Sequence, residues 1–315
     1  MSNNNSSKSA TAQFEQDLIA TGMQPIALRQ AEIGRGTQIK RALPSRQKRM
    51  IGAWCFLDHA GPADFTAGEG LDVGPHPHIG LQTFTWMIKG SMMHRDSLGY
   101  AQLIQPKQVN LMTAGRGISH TEVAPVTETQ MHSVQLWIAL PDDKKDMQPQ
   151  FDHYPKLPIL QHDQVEYTVL VGEFLGEKSP VQVHSELLGV DLVAQAQVKT
   201  LLPLNPNFEY ALLVLEGELR VGEHQLNNEH MLVVNTGLQQ LELEMSAGTH
   251  AILIGGVPFE SPVILWWNFV GRTQEEIEQA REQWLQGDAR FGEVADYQGE
   301  RLAAPPLPDR MRASK

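Results

Sequence analysis

The chain has 315 residues, which is enough for two domains of about 150 residues each. Its 37 acidic and 25 basic side chains give a formal net charge of −12, and a chain of that sign is repelled by nucleic acids and by anionic membrane surfaces. The single cysteine, Cys55, excludes an intrachain disulfide and any metal site that needs four cysteines. No apolar run approaches the roughly 20 residues of a membrane helix. We therefore expect a cytoplasmic protein with no membrane contact and no direct nucleic-acid binding.

The first part of the chain is polar. Residues 1–22 are rich in Asn and Ser and carry few apolar side chains, so they are predicted to form a disordered tail. From Arg29 to Arg49, seven basic residues accompany one acidic residue. We interpret this stretch as the solvent-exposed face of a hairpin rather than a binding patch, because no aromatic residues alternate with the charges.

The body of the chain is predicted to consist of short strands. Apolar and polar residues alternate over 134–140, with Trp137 on the outer side, and again over 241–245. Gly90 and Gly217 each lie between two apolar runs, as hairpin turns do. Evenly spaced strands without intervening helices indicate β-sandwiches or barrels.

A weak internal repeat divides this body. FTWMIKGSMMH, from Phe84, aligns without gaps with ALLVLEGELRV, from Ala211, as two copies of one strand-rich unit would. Between the copies lies the polar, proline-containing stretch PDDKKDMQPQ. We therefore predict an N-terminal domain over 23–150 and a C-terminal domain over 151–290.

One helix is predicted near the end of the chain. Thr273 and Glu276 form a capping-box pattern, and Ile277 and Trp284 recur at helical spacing before Gly287. The helix should span about 274–286 and pack onto the C-terminal barrel through Ile277 and Trp284. The proline-rich residues 291–315 are predicted to form an extended tail.

Two pairs of residues could bind a metal. His76 and His78, and then His120 and Glu122, are each spaced i and i+2, so on strands each pair points to one face. Three imidazoles and one carboxylate suit a divalent transition metal, and in an octahedral ion they leave two positions open. Zinc is less natural, because four protein ligands would close its tetrahedron. The alternative is that these are buried or surface histidines with structural roles.

Neighbouring residues extend this hypothesis. If the strand at 80–88 keeps the parity of His78, the same interior is also lined by Gln82, Phe84, Trp86 and Ile88. His59, His94 and His132 are interpreted as structural, because none is paired at i, i+2 with another ligand type. His94, followed closely by Asp96, could still steady a ligand imidazole. Cys55 is interpreted as a small buried apolar residue.

The motifs GPHPHIGLQTFTWMIKGSMMHRDSLG and TAGRGISHTE resemble the metal motif of the pirins, members of the cupin superfamily. The resemblance covers most of residues 30–290 and implies an all-β bicupin: two stacked antiparallel β-barrels of the jelly-roll type with a short C-terminal helix. It also implies one Fe²⁺ per chain in the first barrel, held by His76, His78, His120 and Glu122, with other divalent transition metals as alternatives. The second barrel is expected to hold no metal.

The resemblance implies two classes of function. Several pirins are quercetin dioxygenases, and others bind transcriptional or metabolic protein partners. We favour an iron-dependent dioxygenase that cleaves a flavonol-like substrate with O₂, in which Glu122 accepts the substrate's hydroxyl proton. Phe84, Trp86 and Ile88 would form an apolar wall. The alternative is a non-enzymatic iron or redox sensor that binds a regulatory protein partner.

Overall fold

The structure, a computed structural model, describes residues 22–34 and 36–314. The predicted disordered tail at residues 1–22 thus lies, apart from Gly22, outside the described residues. Strands dominate the rest, and one α-helix, α1, spans Gln274–Gln286. Among the described residues, no helix is long and apolar enough to cross a membrane.

The strands follow one another closely along the chain. The first thirteen are β1 (Met23–Ala27), β2 (Arg29–Ile33), β3 (Thr37–Leu43), β4 (Trp54–Asp64), β5 (Asp72–His78), β6 (Leu81–Lys89), β7 (Met92–Asp96), β8 (Ala101–Ile104), β9 (Val109–Thr113), β10 (Ile118–Val123), β11 (Gln130–Ala139), β12 (Gln150–Tyr154) and β13 (Ile159–His162). The others are β14 (Val165–Val171), β15 (Glu173–Phe174), β16 (Glu177–Lys178), β17 (Leu187–Ala194), β18 (Val198–Pro203), β19 (Glu209–Glu216), β20 (Leu219–Val221), β21 (His224–Leu226), β22 (His230–Val234), β23 (Gln240–Met245), β24 (His250–Gly256), β25 (Ile264–Trp266) and β26 (Phe269–Gly271).

The chain forms two compact units that differ from the predicted domain limits. The larger unit contains Arg29–Leu157 and the residues from Phe259 onward, and the smaller unit contains Pro158–Pro258 and the described residues up to Leu28. Strand β1 belongs to the smaller unit because it pairs with the edge strand β22. The prediction that residues 23–150 form one domain and 151–290 the other is therefore corrected at both ends.

Each unit repeats the same sheet topology. In the larger unit a seven-stranded sheet runs β12-β9-β6-β11-β4-β3-β2, and a four-stranded sheet runs β5-β10-β7-β8. In the smaller unit the corresponding orders are β1-β22-β19-β24-β17-β14-β13 and β18-β23-β20-β21. The hairpins after β6 and β19 turn at Gly90 and Gly217, whose φ angles are 76° and 78°. The weak repeat in the sequence thus marks two copies of one arrangement of a seven-stranded and a four-stranded sheet.

The interior of the smaller unit is apolar. Its buried cluster includes Tyr167 and Tyr210 among many aliphatic side chains. On β23 the predicted alternation is confirmed, with Glu242 and Glu244 exposed between buried neighbours. Both glutamates face Lys199, at 2.7 and 3.6 Å between Nζ and Oε1. The two carboxylates of β23 therefore point away from this interior.

Helix α1 has the predicted bounds. The Thr273 side chain accepts a hydrogen bond from the Glu276 amide, and Gly287 ends the helix with a φ of 73°. However, α1 belongs to the larger unit rather than to the C-terminal barrel. Its apolar face packs in one cluster with Ile79, which directly follows His78. That cluster contains Ile79, Ile264, Phe269, Ile277, Ala280, Trp284, Phe291 and Ala304.

Replacing Trp284 with alanine should destabilise the larger unit by about 3–5 kcal/mol, because it removes a fully buried ring. The indole is 2% exposed, packs edge-on against Phe291 and donates a hydrogen bond to the Leu302 carbonyl. Leu285→Ala, at the neighbouring position that is 50% exposed, is the control and should change stability by less than about 0.5 kcal/mol. Urea unfolding of both variants tests this, and equal midpoints would contradict it.

Candidate metal centre

Three histidines meet on two adjacent strands of the larger unit. β5 carries His76 and His78, and β10 pairs with it antiparallel so that His120 lies opposite His76. Because side chains spaced i and i+2 share a face, both histidines of β5 point the same way as His120. The three side chains are buried, with exposed fractions of 5%, 1% and 1%.

The ring nitrogens of these histidines are arranged to bind a cation. Their ligand atoms all lie within 4.8 Å of one another, and Nε2 of His78 is 3.1 Å from Nε2 of His120. Nδ1 of His76 contacts the Gly74 carbonyl at 2.9 Å, and Nδ1 of His78 contacts the Asn268 carbonyl at 3.1 Å. Because a carbonyl can only accept, both Nδ1 atoms carry the proton and both Nε2 lone pairs are free for a metal. The donor set therefore fits a divalent transition metal.

Glu122 lines the same cavity but lies outside this close group of three. A β-bulge after His120 offsets Glu122, which lies opposite Val73 on β5. Burial raises the pKa of the Glu122 carboxyl to about 7, and a hydrogen bond with the Thr85 side chain opposes the shift. Glu122 can therefore exchange a proton near neutral pH, and a bound cation would favour its ionised form.

Burial also keeps the histidines neutral. It lowers the pKa of His76 from 6.5 to about 4, and it lowers the pKa values of His78 and His120 well below 6.5, with the neighbouring imidazoles adding to the shift. Neutral imidazole is the form that binds metal. Proton competition should therefore begin at a lower pH than in free histidine.

The metal-free protein should lose stability as the pH falls from about 6.5 towards 4. In that window the unfolded chain binds protons at the three histidines and the folded chain does not, so acid favours unfolding. Glu122 stabilises the folded chain as the pH falls from 7 to 4.5, because its pKa is raised on folding. The three histidines together outweigh this single glutamate. Thermal unfolding of chelator-treated protein at pH 7 and pH 5 measures the effect. Glu122→Gln should increase the loss of stability between pH 7 and pH 5. Equal unfolding temperatures at both pH values would contradict the conclusion that the buried histidines stay neutral.

The histidines open into a cavity of about 450 Å³, a volume typical of small-ligand sites. Its lining combines aromatic and aliphatic side chains with polar and charged ones. Besides the three histidines and Glu122, it is lined by Glu32, Ile33, Gly34, Arg41, Pro44, Phe56, Asp58, Val73, Gln135, Trp137, Leu265, Trp267, Asn268 and Leu302. The cavity therefore offers both apolar surface and polar groups beside the imidazoles.

The prediction that Phe84, Trp86 and Ile88 form an apolar wall of the cavity is wrong, because none of them lines it. Phe84 and Trp86 are buried outside the cavity lining, and Gln82 shares their parity and donates to the Thr113 hydroxyl at 2.9 Å. Side chains alternate between the two faces of a strand, but the alternation of β5 does not continue into β6. Gly80, with a φ of 68°, turns the chain between the two strands. A side chain at this position would meet the Val270 carbonyl at 2.1 Å.

Trp137 takes part of the expected role. It lines the cavity with 7% of its surface exposed, whereas the sequence placed it on the outer side of its strand. Its ring stacks on Phe56 at 4.0 Å and meets the His78 ring edge-on at 5.1 Å. The aromatic wall thus comes from β4 and β11.

The basic hairpin also contributes a residue that sequence reasoning missed. β2 and β3 form the predicted hairpin, but Arg41 lines the cavity instead of facing solvent. Its guanidinium forms two hydrogen bonds of 2.7 Å with Asp58 and lies 4.6 Å from the Phe56 ring centre. Burial raises the pKa of Asp58, and Arg41 opposes that shift. The pairing of β3 with β4 that joins these residues is non-local, so no motif could have indicated it.

The end of the chain closes one side of the cavity. Residues 297–302, here called the C-terminal strap, run along β5: the Tyr297 hydroxyl donates to Asp72 at 2.8 Å, and the Leu302 amide donates to the Pro75 carbonyl at 2.8 Å. On its other side, the strap is held by Arg301, whose guanidinium lies 3.7 Å from the Trp284 ring centre. Leu302 thereby becomes part of the cavity wall, although residues 291–315 were expected only to be extended.

Three further candidate histidines and the cysteine lie outside the cavity lining: His59, His94, His132 and Cys55. His59 and His132 contact each other, Nε2 to Nε2, at 2.8 Å, and neither lines the cavity. His94 lies behind His120, at 3.2 Å between their Nδ1 atoms. Cys55 is 1% exposed, and burial raises its thiol pKa to about 12, so it is the buried apolar residue that was predicted.

Comparison with known proteins identifies the family. The family pattern described as Pirin matches residues 36–138, and the one described as Pirin C-terminal cupin domain matches residues 189–292. A Caulobacter vibrioides protein named pirin-like protein is 35% identical over 82% of this chain and 91% of its own length. The chain belongs to the pirin family.

Two further relatives of this pirin carry an enzyme name. A Pseudomonas aeruginosa protein, provisionally named a quercetin 2,3-dioxygenase, is 52% identical over 92% of each chain. The crystal structure named quercetin 2,3-dioxygenase from Acinetobacter baumannii is 63% identical, covers 96% of this chain and 100% of its own, and superimposes with a TM-score of 0.93. The predicted pirin bicupin fold with its C-terminal helix is thus confirmed.

Proposed function

We propose that this pirin is an iron-dependent dioxygenase of the quercetinase type that cleaves a flavonol-like substrate with O₂. The observation that carries the proposal is the set of three buried imidazoles, whose candidate ligand nitrogens lie within 4.8 Å of one another and which line a cavity that also has aromatic side chains in its wall. The names of the two relatives support the same reaction.

His76, His78 and His120 would hold one Fe²⁺, with the Glu122 carboxylate as a fourth ligand. When bound, the iron supplies a Lewis acid for the substrate oxygens and a redox centre for O₂. In the protein, the carbonyls of Gly74 and Asn268 keep two imidazoles in the tautomer that offers Nε2. The donor set also fits other divalent transition metals, and affinity alone favours copper over iron.

The cavity residues would bind and orient the substrate. The Phe56 and Trp137 pair offers apolar ring surface for a flat aromatic molecule, and Arg41 with Asp58 offers polar groups for its hydroxyls. Glu122, with a pKa of about 7, is suited to accept the flavonol hydroxyl proton near neutral pH. Deprotonation makes the ring system electron-rich, which its reaction with O₂ requires.

The test is aerobic incubation of the iron-loaded protein with quercetin. We expect loss of the flavonol absorbance, one O₂ consumed and one carbon monoxide released for each ring opened. Luteolin, which lacks the 3-hydroxyl, is the matched control and should not turn over, because it has no proton there for Glu122 to accept. Iron binding without turnover of quercetin would refute the proposal and favour the alternative, a sensor that binds a regulatory protein partner.

A further inference from the structure

Behind the metal centre lies a chain of three buried polar side chains. Nδ1 of His120 is 3.2 Å from Nδ1 of His94, and Nε2 of His94 is 3.0 Å from a carboxylate oxygen of Asp96. All three residues are at most 3% exposed. His94 and Asp96 lie on β7, which pairs with β10 on the side opposite β5. Neither residue lines the ligand cavity.

The positions of the protons follow from this arrangement. If His120 binds a metal through Nε2, its proton is on Nδ1, and the Nδ1 of His94 must accept it. Neutral His94 then carries its own proton on Nε2, where the Asp96 carboxylate accepts it. With His94 neutral, each hydrogen bond in the chain thus has one donor and one acceptor when His120 offers Nε2 to a metal.

The rest of the site fixes this pair in place. The second carboxylate oxygen of Asp96 accepts hydrogen bonds from the Leu98 and Tyr100 amides at 2.9 and 3.1 Å. The His94 ring stacks on Phe151, with 4.3 Å between ring centres and 14° between planes. Asp96 therefore cannot turn away from His94 without losing two backbone contacts.

The three histidines differ in what stands behind them. His76 and His78 each donate to a neutral backbone carbonyl, whereas His120 is connected through His94 to a full negative charge. An anionic acceptor strengthens the hydrogen bond and raises the basicity of the donating imidazole. His120 should thus give more electron density to a bound metal than the other two.

We propose that His94 and Asp96 are positioning residues: they hold His120 in the metal-binding tautomer and stabilise the ferric form of bound iron. This inference rests on iron binding at the three histidines, as in the proposed function, but not on any substrate. A chain that binds no iron would refute the proposed function. Normal binding without the effects described below would refute this inference alone.

The positioning role is tested by iron affinity. Fe²⁺ binding to the full chain is measured anaerobically by competition with a chelator, without substrate. His94→Phe keeps a ring against Phe151 but offers no acceptor to His120, and should weaken binding about 10–100-fold. His94→Asn places an amide oxygen near the position of Nδ1 and should recover most of the affinity. Wild-type affinity in His94→Phe, or equal losses in both variants, would overturn the positioning role.

The electronic role is tested by the Fe³⁺/Fe²⁺ reduction potential. Asp96→Asn keeps the oxygen that caps the turn but removes the negative charge, so the potential of the bound iron should rise. His94→Asn should raise it too, since it breaks the connection to Asp96. Phe151→Leu, which disturbs packing without removing a hydrogen bond, is the matched control and should leave the potential unchanged. An unchanged potential in iron-loaded Asp96→Asn would overturn the electronic role.

Discussion

His78→Ala is expected to abolish iron binding and quercetin cleavage together. His78 is 1% exposed, and its Nε2 faces that of His120 at 3.1 Å, so its removal leaves two imidazoles and one carboxylate for the metal. Because it takes part in no proton transfer of the proposed reaction, activity should fall in proportion to iron content. We expect close to one iron per wild-type chain by elemental analysis, and less than about a tenth of that in the variant, since even partners behind a ligand cost about 10–100-fold in affinity.

The control is His153→Ala, a half-buried histidine of the same unit that bonds to Asn110 and does not line the cavity. It should keep its iron and its activity. Retention of iron by His78→Ala would show that the ligand set has been assigned wrongly. About two irons per wild-type chain would contradict the expectation that the second barrel holds no metal.

Glu122→Gln is expected to lose more turnover than iron. Glutamine keeps the size and a carbonyl oxygen, but it lacks the charge and the basicity of a carboxylate. General-base removal typically costs about 10²–10⁴-fold in rate, whereas iron binding should weaken only moderately because the three imidazoles remain. Turnover of quercetin is compared at matched iron content per chain.

Thr85→Val is the companion variant. It removes the hydroxyl that opposes the raised pKa of Glu122 and that donates to the Gln135 side chain at 2.8 Å, while keeping the side-chain volume. The pKa should rise further, so the acid limb of the rate profile should move to higher pH with little change in the maximum rate.

If Glu122→Gln cleaves quercetin at the wild-type rate, the glutamate is only a ligand and the proposed proton transfer fails.

Local patterns predicted the local structure well. The capping residue Thr273 and the helix-ending Gly287 set the bounds of α1, because caps act within a few residues. The i, i+2 spacing of His76 and His78 placed both on one face for the same reason. The same reasoning wrongly placed Gln82 on the face of His78. A single residue between them, Gly80, has a left-handed backbone conformation and interrupts the alternation of side chains.

Non-local contacts were beyond such patterns. Nothing near Met23 in sequence shows that β1 pairs with the edge of the smaller unit's sheet, and nothing near Trp284 shows that α1 belongs to the larger unit. The ligand cavity is the strongest case, because Arg41, Trp267 and Leu302 reach it from three distant segments. The candidate ligands could therefore be predicted from the sequence, whereas the shape of the cavity around them could not.

The strap at residues 297–302 has a practical consequence for anyone who handles the protein. Leu302, which comes after helix α1, forms part of the pocket wall, so a truncation that removes it would change the pocket wall without touching an imidazole. The three histidines would stay in place, while the surface offered to a ligand would differ. The same separation offers engineers a way to exchange tails between relatives and retune selectivity while the metal-binding motif stays intact.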